Sequence, residues 1–281
     1  MTMQLGVTGL NAKAALPPAV TARLAGLAED LGYASWWAGD HVVLPSPRTP
    51  DTPMDPLDPI LDPLVHLTYV AALTRRVELG TGIVILPQRN PLVLAKQAAS
   101  LDVLSGGRLL LGVGAGYLEP EMTAVGVPFA QRGRRTDEYI DAMVQLWTAE
   151  QPRMDGRYVR FADVDAHPRP VREGGPRIVV GGHSDAAFRR ALTRAHGWFG
   201  VGTPDELAAN LARLKRVGDE VERPARLGRL EITAMQLQPV DQGTADRFAD
   251  LGVDRLLVYP LPLEDPDDIA RFLERHAGLA R

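Results

Sequence analysis

The 281-residue chain contains no cysteine. That absence excludes disulfides, thiolate nucleophiles, iron–sulfur clusters and cysteine-ligated zinc. There is also no run of about 18 apolar residues, the length a membrane-spanning helix requires. Positive charge is not in surplus: 31 Lys and Arg stand against 35 Asp and Glu, giving a net charge of −4 and a pI near 5.9. Nucleic acid is therefore not an expected partner, because phosphate backbones are gripped by basic patches. The opening residues, Met-Thr-Met-Gln-Leu-Gly-Val, hold neither a basic segment nor a separate apolar stretch. No signal peptide is expected, and a cytoplasmic protein is. His41, His66, His167, His183, His196 and His276 form no His-x-His or His-Glu-x-x-His spacing, so no metal site is expected. A Gly-x-Ser-x-Gly nucleophile elbow is missing as well.

What is present is core material in a repeating order. Apolar residues make up 45% and charged residues 23%, a balance that favours a large buried core over disorder. Short apolar runs occur at 5–8, 34–37, 78–86, 109–113, 177–180, 198–201, 230–237 and 255–259. Helical periodicities with readable ends lie between them. Val20, Leu24, Leu27, Ala28 and Leu31 form one stripe that stops at Gly32. Asn90 and Pro91 read as an N-cap and first helical residue, and Ser105-Gly106-Gly107 ends that helix. Tyr139, Met143, Leu146 and Trp147 mark the stripe of a fourth helix. Thr203-Pro204-Asp205-Glu206 spells a capping box.

Strands apolar on both faces and separated by helices pair in parallel, with both faces covered. Eight such units predict an α/β chain folded as a single (β/α)8 TIM barrel, one domain over residues 1–281. Two insertions exceed ordinary loop length. Residues 42–63 follow the second strand and carry seven prolines. Residues 151–176 follow the fourth helix and include a short extended piece at 157–161. The first lies on the face where barrels place their sites, so it is expected to form a lid or substrate wall.

Chemistry in a barrel gathers at the carboxyl ends of the strands. After the second strand come Asp40 and His41, an acid beside an imidazole. They can supply a proton donor, a base or a polarising group, or else cap and pack beneath the loop. Neighbours on a strand point to opposite faces, so the two need not touch. The third strand contains Gly80 and Gly82, which mark either a bulge with close approach of another group or tight barrel packing. The fourth ends in Gly112-Val113-Gly114-Ala115-Gly116-Tyr117-Leu118-Glu119. A dinucleotide fingerprint requires direct entry into a helix and an acid about 20 residues on. Glu119-Pro120-Glu121 intervenes, so small residues on which a ligand can lie are the better account. After the fifth strand, Gly181-Gly182-His183-Ser184-Asp185 precede a helix, where backbone N–H groups can hold a phosphate. A plain Gly-Gly turn is the alternative, and Asp185 would oppose a phosphate unless it points away.

The segments WWAGDHVVLP, VELGTGIVILPQRNPLVLAKQAASLDVLSGGRLLLGVGAGYLEPEM, GVPFAQRGRRTDEYI, PRIVVGGHS and LGVDRLLVYP resemble the luciferase-like monooxygenase superfamily, and within it the F420-dependent oxidoreductases. The resemblance spans almost the whole chain in order. It implies that Asp40 and His41 lie beside the reactive ring, with His41 the proton-handling or orienting group. It implies a non-prolyl cis peptide at Gly82–Ile83 whose bulge backs the isoalloxazine. Gly112, Gly114 and Gly116 would line the cofactor, and Gly181, Gly182, His183 and Ser184 its phosphate. One departure stands out: sugar-phosphate dehydrogenases of the family carry glutamate where this chain has Tyr117, and Glu119 follows two residues later. A sugar-phosphate substrate is therefore not expected.

The resemblance thus implies an enzyme: an F420-dependent oxidoreductase passing hydride between deazaflavin C5 and a small organic substrate. Arg48 and Arg89, in mouth loops, could attract the cofactor's acidic tail or be solvated. The alternatives are an FMN-dependent monooxygenase on the same fold, a non-catalytic flavin-binding barrel, and a phosphate-binding isomerase barrel. The resemblance also implies pairing of two copies through barrel helices.

Overall fold

The structure, a computed structural model, describes residues 3–279. Its parallel sheet contains β1 (Gln4–Thr8), β2 (Ser35–Ala38), β3 (Glu78–Thr81), β4 (Val84–Ile85) and β5 (Leu109–Gly114). A small antiparallel hairpin follows, β6 (Met154–Asp155) with β7 (Arg160–Phe161). The sheet resumes with β8 (Arg177–Gly181), β9 (Gly197–Val201), β10 (Glu231–Met235) and β11 (Arg255–Val258). Neighbours run β3-β2-β1-β11-β10-β9-β8-β5-β4, and a β3–β5 pairing closes the ring. β3 and β4 are two halves of one stave, interrupted at the cis Gly82–Ile83 peptide. The result is the expected closed barrel of eight staves.

Nine helices are described: α1 (Pro18–Asp30), α2 (Pro63–Leu73), α3 (Pro91–Ser105), α4 (Glu119–Ala124), α5 (Arg132–Thr148), α6 (Asp185–Arg194), α7 (Pro204–Gly218), α8 (Gln242–Asp250) and α9 (Pro266–His276). Their ends follow from side-chain chemistry. Asn90 Oδ1 accepts from the amides of Leu92 and Val93 at 2.9 and 3.3 Å, and Asp62 caps α2 in the same way. Gly106 stops α3 with a φ of +68°, a left-handed conformation that costs an L side chain free energy. Both halves of the Thr203–Glu206 capping box form.

The structure departs from the sequence expectations in three places. The run 78–86 is not one strand but two short ones around a bulge. The helix expected fourth is α5, because α4, only six residues long, precedes it. The insertion 151–176 holds a two-stranded hairpin rather than a single extended piece.

Two apolar layers hold the barrel together. Between sheet and helices, Leu24, Leu67, Leu94, Phe188 and Phe248 are fully buried. Inside the ring a separate cluster forms from Trp37, Leu110, Val179, Phe199 and Leu257. The amino end of the ring is sealed by polar bonds. Arg255 pairs with Glu78 at 2.6 Å, and Arg108 donates to the carbonyls of Ala71, Thr74 and Val77. Among the described residues, no helix is long and apolar enough to cross a membrane.

Candidate active site

At the carboxyl end of the barrel the interior cluster becomes a floor. Trp37 stacks on Phe199 with ring centroids 5.8 Å apart and planes 11° from parallel. Its ring fills the space where a Gly80 side chain would begin: a Cβ there would lie 2.2 Å from Trp37. Above this pair, Ile83, Val201 and Met235 are partly exposed and face the opening. The barrel is thus filled below and open above, with an apolar surface at the boundary.

Five of the expected cofactor residues converge on that opening. Ile83 projects from the bulge toward β5 and β8. A Cβ on Gly112, Gly114 or Gly181 would approach its side chain to 3.1, 2.3 and 2.5 Å. Gly112 is pressed harder still, since its Cβ would stand 1.8 Å from the Thr81 carbonyl oxygen. These glycines therefore make room for Ile83 and for the Thr81 backbone. Gly82 faces looser surroundings, with nothing nearer its Cβ position than 3.4 Å. Gly116 does a different job. It turns the chain at φ +78°, and a Cβ would strike Met122 of α4 and Ile85.

The loop into α6 turns on a glycine. Gly182 adopts φ +115°, and the amides of His183 and Ser184 meet no carbonyl acceptor among the described residues. Ser184 Oγ caps the helix by accepting from Ala187 N–H at 3.2 Å. His183 Nε2 accepts from Val201 N–H at 3.1 Å, which braces the loop against β9. Burial and the Arg213 charge push the His183 ring below the ordinary imidazole range, keeping it neutral for that bond. Asp185 turns away toward α7, where Arg213 holds it at 2.8 Å. Its charge does not oppose an anion at the loop.

Asp40 and His41 lie just past the end of β2 and part company there. Asp40 points inward and is buried, accepting from Ile85 N–H at 3.0 Å and from Arg89 Nη2 at 2.7 Å. Burial pushes its carboxyl above the usual carboxylate range, with Arg89 opposing that shift. The same Arg89 nitrogen reaches Asp62 at 2.9 Å. Arg89, expected either to attract an acidic tail or to be solvated, does neither: its charge is taken up in the wall. Arg48 donates to the Thr52 carbonyl within its own loop.

His41 is partly exposed at the same carboxyl end of the barrel. Its Nδ1 lies 3.1 Å from Glu121 Oε2, and the Tyr117 ring meets it edge-on with centroids 6.3 Å apart. Glu121 Oε1 accepts from Val42 N–H at 2.8 Å. Sequence reasoning weighed Tyr117 and Glu119 and missed Glu121. Glu119 is exposed, whereas Glu121 is the buried acid. Its signal was the proline at position 120, which is common in a first helical turn. Asn11 completes the wall by donating to the Gly39 and Leu61 carbonyls at 2.9 and 2.8 Å, so the loop after β2 is closed at its base.

Two clefts of about 290 and 530 Å³ lie elsewhere, beside the β6–β7 hairpin, and share Arg153 and Met154. Neither includes a residue of the opening. Among the described residues no cluster of His, Asp or Glu is arranged to hold a metal ion.

Comparison with known proteins agrees with the fold. A family model described as luciferase-like monooxygenase matches residues 3–240. An uncharacterised protein of Mycobacterium tuberculosis (strain ATCC 25618 / H37Rv) is 33% identical over 284 residues, covering 98% of both chains. An FMNH2-dependent dimethylsulfone monooxygenase of Pseudomonas putida is 34% identical over 113 residues, 39% of this chain and 31% of that one. The fold superposes on a monooxygenase from Streptomyces bottropensis with a TM-score of 0.80, 22% identity and 98% coverage of each chain. An F420-dependent secondary alcohol dehydrogenase in complex with an F420-acetone adduct gives 0.78, 17% identity and 98% coverage of each.

Proposed function

Because the chain belongs to the luciferase-like monooxygenase family, we propose that it is an F420-dependent oxidoreductase acting on a small uncharged organic substrate. The observation that carries this reading is the pairing of an apolar floor with one orientable imidazole at its edge, His41 held by Glu121. The F420-dependent secondary alcohol dehydrogenase of like fold supports the choice of deazaflavin. When bound, that cofactor supplies or accepts a hydride at C5.

The residues present fit such a group. Ile83, Val201 and Met235 offer an apolar face to a flat ring, and the amides of His183 and Ser184 offer donors to a phosphate. His41 handles the proton that accompanies hydride transfer, giving it to a substrate oxygen in one direction and taking it in the other. Asp40 and Arg89 brace the ends of the loop of residues 42–61, and its exposed Val42 and Val43 would give a substrate wall apolar surface next to His41. We further propose that two copies pair through α2 and α3. α2 contains no Asp, Glu, Lys or Arg, and it exposes Val65, Tyr69 and Leu73 one turn apart.

Separate titrations with F420 and FMN, followed by fluorescence quenching, test the reading. F420 is expected to bind at least 10-fold more tightly, a margin of about 1.4 kcal/mol. His41→Ala is expected to leave that affinity within about twofold and to lower turnover by about 100-fold or more. Binding of neither cofactor would overturn the redox assignment. An FMN-dependent monooxygenase is the second reading, favoured by the Pseudomonas putida relative. Tighter FMN binding, with rapid oxidation of the reduced complex by oxygen, would establish it.

A further inference from the structure

Glu121 joins two elements through its two oxygens. Oε2 faces His41 Nδ1 at 3.1 Å, and Oε1 takes the amide of Val42, the next residue along, at 2.8 Å. The residue is 1% exposed, and among the described residues His41 is its one ion-pair partner. An ionised carboxylate only accepts hydrogen bonds. The ring nitrogen facing it must therefore carry the proton, which leaves the lone pair of neutral His41 on Nε2. Among the described residues that nitrogen has no hydrogen-bond partner, and it is not one of the buried unpaired atoms.

We infer that Glu121 is a positioning residue that selects the Nδ1-protonated tautomer of His41 and fixes the imidazole to the start of the loop after β2. Nε2 is then the nitrogen offered to substrate, as a base when neutral and as an acid once protonated. The inference deepens the reading of His41 as the proton-handling group. Its first half, the tautomer, stands without that reading.

Replacement by glutamine separates the two halves. A glutamine side chain has one oxygen and one amino group. Val42 N–H requires the oxygen, so in Glu121→Gln the amino group faces His41 Nδ1, which must then give up its proton. The variant keeps the shape and reverses the tautomer. The measurement is nitrogen-15 NMR of the His41 ring in the full-length protein without cofactor, at a pH where the ring is neutral. The expected result is a protonated Nδ1 in the parent and a protonated Nε2 in Glu121→Gln. A protonated Nε2 in the parent, or the same tautomer in both proteins, would overturn the inference, and the parent measurement alone decides the first point.

In the cofactor-loaded enzyme, kcat of Glu121→Gln is expected to fall about 100-fold or more with KM within about twofold. Loss of a carboxylate that fixes a catalytic imidazole's tautomer can reach about 10⁴-fold. A reversed tautomer with unchanged kcat would keep Glu121 in its role and remove His41 from proton transfer, so the two failures are distinguishable.

Discussion

Arg89, partly exposed, pairs at 2.7 Å with the buried Asp40 and clamps one end of the loop after β2, while the same guanidinium nitrogen reaches Asp62 at the other end. Arg89→Met leaves the Asp40 carboxylate buried with only the Ile85 amide for company. Breaking a buried pair from one side costs about 3–5 kcal/mol, because the remaining charge is uncompensated. A loss of about 3 kcal/mol in urea unfolding is expected, with Arg89→Met/Asp40→Asn recovering at least half of it. A single-variant loss below about 1 kcal/mol would show that Asp62 and solvent already satisfy this corner.

The glycines of β5 separate two kinds of crowding. At Gly112 a methyl group would meet the Thr81 backbone oxygen, whose residue is also tied to Gly112 by a 2.6 Å bond from Thr81 Oγ1 to the Gly112 carbonyl. Backbone in a closed ring yields little, so Gly112→Ala is expected to cost about 3 kcal/mol, the upper range for overpacking. At Gly114 the obstacle is the far end of the Ile83 side chain, which can swing. Gly114→Ala is expected to cost about 1 kcal/mol or less and to weaken cofactor binding about 10-fold by pushing Ile83 into the opening. Equal destabilisation by both changes would contradict this division of labour.

Local chemistry was legible in the sequence wherever it acts within one turn or one strand. The caps at Asn90, Gly106 and Thr203 form as their residues dictate, and the alternation of apolar runs with helical stripes foretold the closed barrel. The partners of Asp40 and His41 were not legible, because each lies 45 or more positions away in sequence: Arg89 across the bulge and Glu121 on α4. α4 spans six residues, fewer than two turns, so it shows no period to read. The glycine pattern announced close approach without saying by what. Much of the approaching matter is the chain itself, Trp37 against Gly80 and Ile83 against Gly114 and Gly181.

Acid should destabilise the protein through His66. The ring is 1% exposed, its Nε2 accepts from Trp36 Nε1–H at 3.0 Å, and burial lowers its pKa from 6.5 to about 4. With the folded value depressed, the unfolded chain takes up the proton first. Stability is whole above about pH 6.5 and falls as pH drops toward 4. One pKa unit corresponds to about 1.4 kcal/mol, so the loss approaches roughly 3 kcal/mol. In His66→Gln the side-chain oxygen can still accept from Trp36 but does not titrate. His196, which burial also lowers to about 4, keeps its own acid sensitivity in the variant, so the gap between urea midpoints at pH 7 and pH 4.5 should be smaller for the variant than for the parent; an equal gap in both would refute the assignment.

The pairing of copies can be tested on α2. A helix whose outer face meets water normally carries charge there. The outer face of α2 instead exposes Val65 at 67%, Tyr69 at 41% and Leu73 at 37%, and α3 beside it exposes Val93 and Leu104. An uncharged face suits a two-fold partner, because an isologous contact sets like against like and a charge near the axis would meet its own copy. Light scattering is expected to give twice the 30.5 kDa chain mass for the parent. Val65→Asp/Tyr69→Asp should give the single-chain mass with little change in unfolding of the monomer, since both side chains point away from the core. A parent that is monomeric at micromolar concentration would leave this face without its proposed partner, whereas a double variant that remains dimeric would move the interface to another pair of helices.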